Sequence, residues 1–290
     1  MKLPIRTGRT RLVGRQRRDA APVCRLLGYV TTRPTSVVDV LGREDFDTFT
    51  ALTEVHSDGW GMAWHPSLGA AVEAVSSPQN ASVDPQYAAL SEQPLGCNGL
   101  VHLRWATGGL PVSPQNTHPF TDGGHAFAHN GHIAPIAHLE AQLTPDSRER
   151  LRGDTDSERY FQLVLQCIRE ADGDEERGVT RALEILIGEF PNSSLNALFL
   201  TPTTLFAIHI NSRVHSPVDA LRELFESDDA IPASHATEYY AMDYRITDDA
   251  VHVISSGVDA DGWTRIPEDT AAMIDLATRE VTRLHPVPLG

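Results

Sequence analysis

Polar residues of types that can cleave and bind amides are gathered in four short segments of this 290-residue chain. They are Cys24-Arg25, residues 102–107 (HLRWAT), residues 129–131 (HNG) and residues 154–158 (DTDSE). A cysteine thiolate attacks carbonyl carbons, and an Asn-Gly pair offers an amide and an unshielded backbone N–H to a developing oxyanion. An arginine and an aspartate can hold the two charged ends of an amino acid. These residue types suit attack on an amide carbonyl in a substrate with an amino-acid end.

In this order and spacing, the four segments, together with residues 116–120 (NTHPF) and 56–61 (HSDGWG), resemble the class II glutamine amidotransferases. The resemblance covers residues 24–290 and is greatest to small stand-alone members that begin Met-Cys-Arg or Met-Cys-Glu. It implies a four-layer αββα N-terminal-nucleophile hydrolase fold with two packed antiparallel sheets. It also implies hydrolysis of glutamine, or of a γ-glutamyl amide, through a γ-glutamyl thioester on Cys24.

Cys24 is the candidate nucleophile. A thiol needs a base to become a thiolate, and a cysteine at the start of a chain can use its own α-amine, whose ordinary pKa is about 7.7–8.0 against about 8.5 for the thiol. The alternative is that Cys24 is a small buried hydrophobic residue at the beginning of a strand.

Asn130 and Gly131 are the candidate oxyanion donors, and the resemblance assigns this role to both positions. The tetrahedral intermediate of acyl transfer requires donors that already point at the developing charge. The same dipeptide is also a strong signal for a two-residue hairpin turn, which is the alternative.

Arg104 and Asp156 are the candidate substrate-binding residues. The planar guanidinium of Arg104 matches a carboxylate, and Asp156, in the first turn of a predicted helix, would take the α-ammonium group. The alternatives are a surface arginine and a helix N-cap aspartate. The resemblance adds Trp105 and Thr107 as residues that shape the pocket. Gly108-Gly109 follow Thr107 where synthase members have His-Gly, which leaves glutamine and a γ-glutamyl conjugate both open as substrates.

His118 and Pro119 resemble an Asn-x-His-Pro element that braces the pocket, and Asp58 and Trp60 resemble a turn at the pocket rim. We expect mainly structural roles for them. A metal site is a rival interpretation, since five histidines fall within 31 positions: His102, His118, His125, His129 and His132. Their spacing matches no HExxH or CxxC motif, so neither a metal nor another cofactor is expected.

Strands and helices in blocks must position these residues. Strands are predicted near residues 24–30, 61–64, 71–75, 99–105, 125–129, 195–200, 204–211, 239–247, 251–255 and 272–275. Helices are predicted near residues 37–52, 156–170 and 178–189, where apolar residues recur at helical spacing. Blocks of this kind, without βαβ alternation, predict an α+β domain with antiparallel sheets.

The chain is acidic, with 24 basic and 39 acidic side chains and a net charge of −15. This balance disfavours nucleic acid and anionic membranes as partners and favours a small-molecule substrate. No apolar run approaches the roughly 18 residues that a membrane span needs, and three cysteines do not suggest a disulfide framework. A cytoplasmic protein is expected.

Residues 1–23 differ from the rest: they carry a net charge of +6, which leaves −21 for residues 24–290. An amide nitrogen at Cys24 could not act as a base, so we expect this basic extension to be absent or removed. Either translation begins at Val23, since GUG encodes valine and is also a bacterial initiator, or residues 1–23 are a propeptide.

The function has three alternatives. One is supply of ammonia to a separate synthase subunit, and another is removal of γ-glutamyl from an intermediate of thiol-histidine biosynthesis. From a different class, a protein that retains its extension would be a catalytically silent binding module.

Overall fold

The computed structural model describes residues 24–51, 53, 58–104, 113–214, 239–255 and 262–286. The basic extension, the first domain segment expected from the sequence, lies outside these ranges. No helix within them is long and apolar enough to cross a membrane.

The first sheet has seven antiparallel strands in the order β11-β9-β10-β1-β4-β2-β3. The first strand of the chain therefore lies in the centre, between β10 and β4. The bounds are β1 (Arg25–Thr35), β2 (Trp60–Trp64), β3 (Glu73–Ser77), β4 (Gly96–Leu103), β9 (Met242–Ile246), β10 (Ala250–Ser255) and β11 (Thr264–Arg265).

The second sheet has six antiparallel strands in the order β13-β12-β8-β7-β6-β5. Its β7 and β8 form a hairpin across Thr201 and Pro202, from the two strands that the sequence predicts near residues 195–200 and 204–211. The bounds are β5 (Phe120–Asp122), β6 (His125–Asn130), β7 (Asn196–Leu200), β8 (Thr204–His209), β12 (Thr270–Asp275) and β13 (Val281–Leu284).

Seven α-helices lie in the described part of the chain. Helix α6 begins after the N-cap Thr155, whose Oγ1 accepts a hydrogen bond from the Glu158 N–H, and it has the bounds that the sequence predicts. The helices are α1 (Val37–Leu41), α2 (Arg43–Ala51), α3 (Pro85–Ser91), α4 (Ile136–Ala141), α5 (Pro145–Glu149), α6 (Asp156–Glu170) and α7 (Glu175–Glu189).

Strand alternation builds four layers from these elements. In β1, Leu27 and Tyr29 face a core shared with α1, α2 and α3, whereas Leu26 and Val30 face the second sheet. In the second sheet, the alternate face packs on α6 and α7, with Phe127 among the buried residues. The layers are thus helices, sheet, sheet and helices, which confirms the predicted α+β class and the αββα architecture.

The largest difference from the predicted elements is at residues 37–52, where one helix was expected. The structure divides it at Gly42, which has a φ of +81°. Such a backbone conformation favours glycine and ends α1 before α2 begins.

Candidate active site

Cys24 and Arg104 lie at the ends of neighbouring strands. Cys24 comes directly before β1 and Arg104 directly after β4, and Arg25 pairs with Leu103 in the antiparallel register. Both side chains are buried, with 7% and 3% of their surface exposed. The alternative of a surface arginine at 104 is therefore wrong.

The Arg104 guanidinium is held by the segment that precedes β2. Its Nη1 donates to the carbonyl of Asp58 at 3.4 Å, and the Asp58 N–H donates to the Arg104 carbonyl at 3.1 Å. Burial lowers the pKa of Arg104, whereas the charges of Cys24 and Asp58 raise it. A guanidinium keeps its charge under these conditions, so the site holds a cation beside Cys24.

Asn130 is the last residue of β6 in the second sheet, and it pairs with Asn196 of β7. Alternation with Ala126 and Ala128 turns its side chain toward the first sheet. The side chain is fully buried, and neither Nδ2 nor Oδ1 has a hydrogen-bond partner. A buried amide with both polar atoms unpaired can still donate a hydrogen bond to a ligand and accept one from it.

Gly131 follows in a segment with no room for a side chain. A Cβ atom there would overlap the Ser194 carbonyl oxygen and lie 2.6 Å from Nε2 of His129. Because β6 pairs with β5 and β7 while α4 comes next along the chain, the Asn130-Gly131 pair does not form a hairpin turn. The hairpin alternative is wrong.

Asp156 is the first residue of α6, and it reaches the segment after Gly131. Its Oδ2 accepts a hydrogen bond from the Ile133 N–H at 2.6 Å and lies 3.3 Å from Nδ1 of His132. Burial acts to raise the pKa of Asp156, but the bond from His132, the charge of His129 and the Ile133 N–H lower it overall. The carboxylate is therefore ionised. Thr155 is the N-cap, so the N-cap alternative for Asp156 is wrong.

The ring of His118 packs against that of His102 in a tilted arrangement, with 4.2 Å between their centroids and 41° between their planes. Burial lowers the pKa of both rings, that of His102 to about 3. A Cβ on Gly61 of β2 would overlap the His118 carbonyl and lie 2.6 Å from Cδ of Pro119. The 118–119 segment is thus packed tightly on the first sheet at Gly61.

Trp60 occupies the opposite face of β2 from Gly61. It is fully buried in the helix-facing core, and its Nε1 donates to Oδ2 of Asp84 at 2.9 Å. Support of a pocket by Trp60 and Asp58 stays a prediction. Trp105 and Thr107 lie outside the described residues, as do Gly108 and Gly109.

A buried hydrogen-bond network that no sequence motif indicates holds the Asn130-Gly131 segment in place. His129 interacts through Nδ1 with Oγ of Ser157 at 3.0 Å and through Nε2 with the Ser194 carbonyl at 2.8 Å. Ser194 Oγ donates to the Asn130 carbonyl at 3.1 Å. Single serines far apart in sequence carry no motif that could have identified them.

Three chemical capacities lie at the ends of β1, β4 and β6 and at the start of α6. They are a thiol beside a cation, an unpaired amide, and an ionised carboxylate that binds the segment following that amide. Within the described ranges, no group of three or more His, Cys, Asp or Glu side chains is arranged to hold a metal ion.

A family model for class-II glutamine amidotransferases matches residues 23–223. The chain is 28% identical over 260 residues to glutamine–fructose-6-phosphate aminotransferase (isomerizing) of Mycobacterium leprae, covering 82% of this chain and 40% of the relative. The enzyme of the same name from Mycolicibacterium smegmatis is 30% identical over 244 residues, covering 78% and 37%. The chain thus spans less than half the length of these relatives.

Two solved structures are similar in fold. A glutamine aminotransferase class-II domain protein from Silicibacter pomeroyi has a TM-score of 0.60 at 20% identity, covering 91% of this chain and 100% of that one. The glutamine phosphoribosylpyrophosphate amidotransferase of B. subtilis has a TM-score of 0.63 at 14% identity, covering 91% and 50%.

Proposed function

This chain belongs to the class-II glutamine amidotransferases, and from that membership we propose that it hydrolyses the γ-carboxamide of glutamine or of a γ-glutamyl amide at Cys24. The observation that carries the proposal is that Cys24 lies buried beside Arg104, at the ends of β1 and β4, while the facing sheet holds the unpaired buried amide of Asn130 at the end of β6.

The reaction proceeds in two halves. The free α-amine of Cys24 takes the thiol proton, and the thiolate attacks the γ-carbonyl carbon to form a tetrahedral oxyanion. Nδ2 of Asn130 and the N–H of Gly131 donate to that oxyanion, and donors of this kind contribute about 3–4 kcal/mol each. The α-ammonium then protonates the departing amine, which leaves a γ-glutamyl thioester. Water, deprotonated by the same amine, hydrolyses the thioester to glutamate and regenerates the thiol.

The glutamyl group is held by its amino-acid end. Arg104 receives the α-carboxylate and Asp156 the α-ammonium, while Trp105 and Thr107 shape the pocket. The position of Arg104 beside Cys24 and the ionised state of Asp156 support these roles. His118, Asp58 and Trp60 support the pocket from behind.

The chemistry requires a free amine at Cys24, so the active form consists of residues 24–290 as one amidotransferase domain. Residues 1–23 are absent from it, through initiation at Val23 or through cleavage of a propeptide. Intact mass of the active natural protein tests this directly. Met1 to Val23 still attached in a sample that turns over substrate would contradict the α-amine mechanism.

We place the protein in the cytoplasm on its composition. Transfer of the released ammonia to a separate synthase subunit is a second candidate, favoured because the Mycobacterium leprae relative is an aminotransferase longer than this chain. Hydrolysis of a γ-glutamyl thiol-histidine intermediate is a further one.

The test of the core proposal is Cys24→Ala, with Cys97→Ala as the control because Cys97 is a half-buried thiol on β4 with no proposed role. Ammonia released from glutamine and glutamate released from a panel of γ-glutamyl amides are measured. Cys24→Ala should abolish both products, and the control should retain them. Turnover by Cys24→Ala near the wild-type rate would refute the nucleophile. Failure of wild-type protein starting at Cys24 to turn over any substrate would favour the silent binding module.

A further inference from the structure

Arg25 is a fully buried arginine that the proposed reaction does not use. Its Nη1 donates to the carbonyl oxygen of Cys24 at 3.0 Å, and its guanidinium carbon lies 4.6 Å above the ring centroid of Tyr239. Nε and Nη2 have no hydrogen-bond partner. The charge of Arg25 is thus enclosed directly beside the candidate nucleophile.

No carboxylate in the described part of the chain forms an ion pair with Arg25. This is unusual, because an unpaired buried charge is strongly destabilising and folded proteins normally supply a partner. The ring of Tyr239 and the Cys24 carbonyl offset part of that cost. An apolar side chain of similar length would fill the same space without burying a charge, so stability alone does not explain an arginine at this position.

Among the described residues, the charged and titratable groups near Arg25 leave its charge without an ion-pair partner. Arg104 lies on the β4 side of Cys24, and the charge of Asp58 acts on it. Tyr239 and Tyr240 lie on the Arg25 side. Burial and Tyr239 raise the pKa of Tyr240 more than the charge of Arg25 lowers it, so that ring stays neutral. The positive field of Arg25 therefore reaches the Cys24 backbone, and no charge among these residues opposes it from the same side.

We infer that Arg25 is an electrostatic positioning residue whose uncompensated charge favours the neutral α-amine and the thiolate of Cys24, and so sets the lower pH limit of catalysis. This inference rests on the proposed function of Cys24. A cation nearby disfavours a second cation and favours an anion, so one charge acts on both groups in the direction that the reaction needs.

The test compares Arg25→Met, which removes the charge and keeps the length, with Arg25→Lys, which keeps a charge. Arg43→Met is the control, because it removes one positive charge from an exposed helix position. Three quantities are measured on the active protein: kcat/KM for glutamine against pH, the rate of Cys24 alkylation by iodoacetamide against pH, and unfolding in urea.

For Arg25→Met we expect the acidic limb of kcat/KM and the alkylation curve to move to higher pH by about one unit, which is a tenfold loss of kcat/KM below the limb. Its resistance to urea should equal or exceed that of the wild type. Arg25→Lys should stay near the wild-type curves, and Arg43→Met should overlay them.

Curves of Arg25→Met that overlay the wild type, or a loss of urea resistance without a pH shift, would overturn the inference and make Arg25 a structural residue. If Arg25→Met does not fold, Arg25→Gln gives the same test with a donor retained. The two failures can be told apart because alkylation needs no turnover. If Cys24→Ala remains active, the proposed function is wrong. The effect of Arg25 on the Cys24 thiol can still be measured in the proteins that retain Cys24.

Discussion

Replacement of Asn130 by alanine should separate catalysis from stability. The amide is buried, yet neither of its polar atoms has a partner, so Asn130→Ala breaks no hydrogen bond of the free protein. We expect the free energy of unfolding to change by no more than about 1 kcal/mol. In the proposed reaction the same amide donates to the oxyanion, so we expect its removal to cost about 3–4 kcal/mol in the transition state and to lower kcat about 10²–10³-fold.

Asn196, the partner of Asn130 across β6 and β7, is a matched control. Its Nδ2 donates to the Tyr240 carbonyl at 2.6 Å, and its Oδ1 accepts from the Ile210 N–H at 2.9 Å. Asn196→Ala removes both bonds and leaves two buried groups unpaired, so we expect about 2–4 kcal/mol less stability. The loss of kcat should be far smaller than for Asn130→Ala.

Steady-state ammonia release and urea unfolding measure the two effects on the same preparations. The reasoning fails if Asn130→Ala loses as much stability as Asn196→Ala while kcat stays within about threefold of the wild type. That result would mean that the unpaired amide is a packing element.

Three further measurements probe the site. Arg104→Lys should raise KM for glutamine about tenfold or more with little change in kcat, because an ammonium cannot form the two parallel bonds of a guanidinium; an equal fall in kcat at unchanged KM would contradict substrate binding. Gly131→Ala should lose about 2 kcal/mol or more of unfolding free energy in urea, because its Cβ would overlap the Ser194 carbonyl; wild-type stability would contradict this. The free energy of unfolding should fall as the pH drops from 6.5 toward about 3, because His102 binds a proton in the unfolded chain but stays neutral when buried in the folded one. The free energy of unfolding of His102→Gln should fall less steeply over that range. Parallel curves for the two proteins would contradict this.

Periodicity and motif spacing were sufficient to predict much of this fold. Helix α6 and the β7–β8 hairpin follow from their apolar patterns, and the class-II amidotransferase family follows from the four polar segments. Short elements such as α3, α4, α5 and β5 span seven residues or fewer, which is too short for periodicity to separate from loops. Their bounds are set by tertiary packing.

The sequence offers candidate site residues but not their environment. Arg104 and Asp156 are proposed from residue type, from the predicted helix start and from the family resemblance. The choice between a buried and a surface arginine depends on the pairing of β1 with β4. The sequence places Arg25 beside Cys24 but indicates no role for it. The lack of an ion-pair partner among the described residues is a property of three-dimensional packing. The contacts of Ser157 and Ser194 with His129 and with the Asn130 carbonyl were not predicted for the same reason.

The central position of β1 has a consequence for how this protein is made. Leu26 donates its N–H to Oγ of Ser255, 229 positions later, and all of β10 must pair beside β1. During translation, Cys24 and β1 leave the ribosomal exit tunnel early. Almost the whole chain must then be synthesised before β10, a neighbour of β1 in the sheet, emerges. Pairings this distant fold slowly and expose sheet edges in the interim. The proposed nucleophile is therefore translated early, but its sheet is completed only late, so incomplete nascent chains carry the Cys24 thiol outside its folded environment.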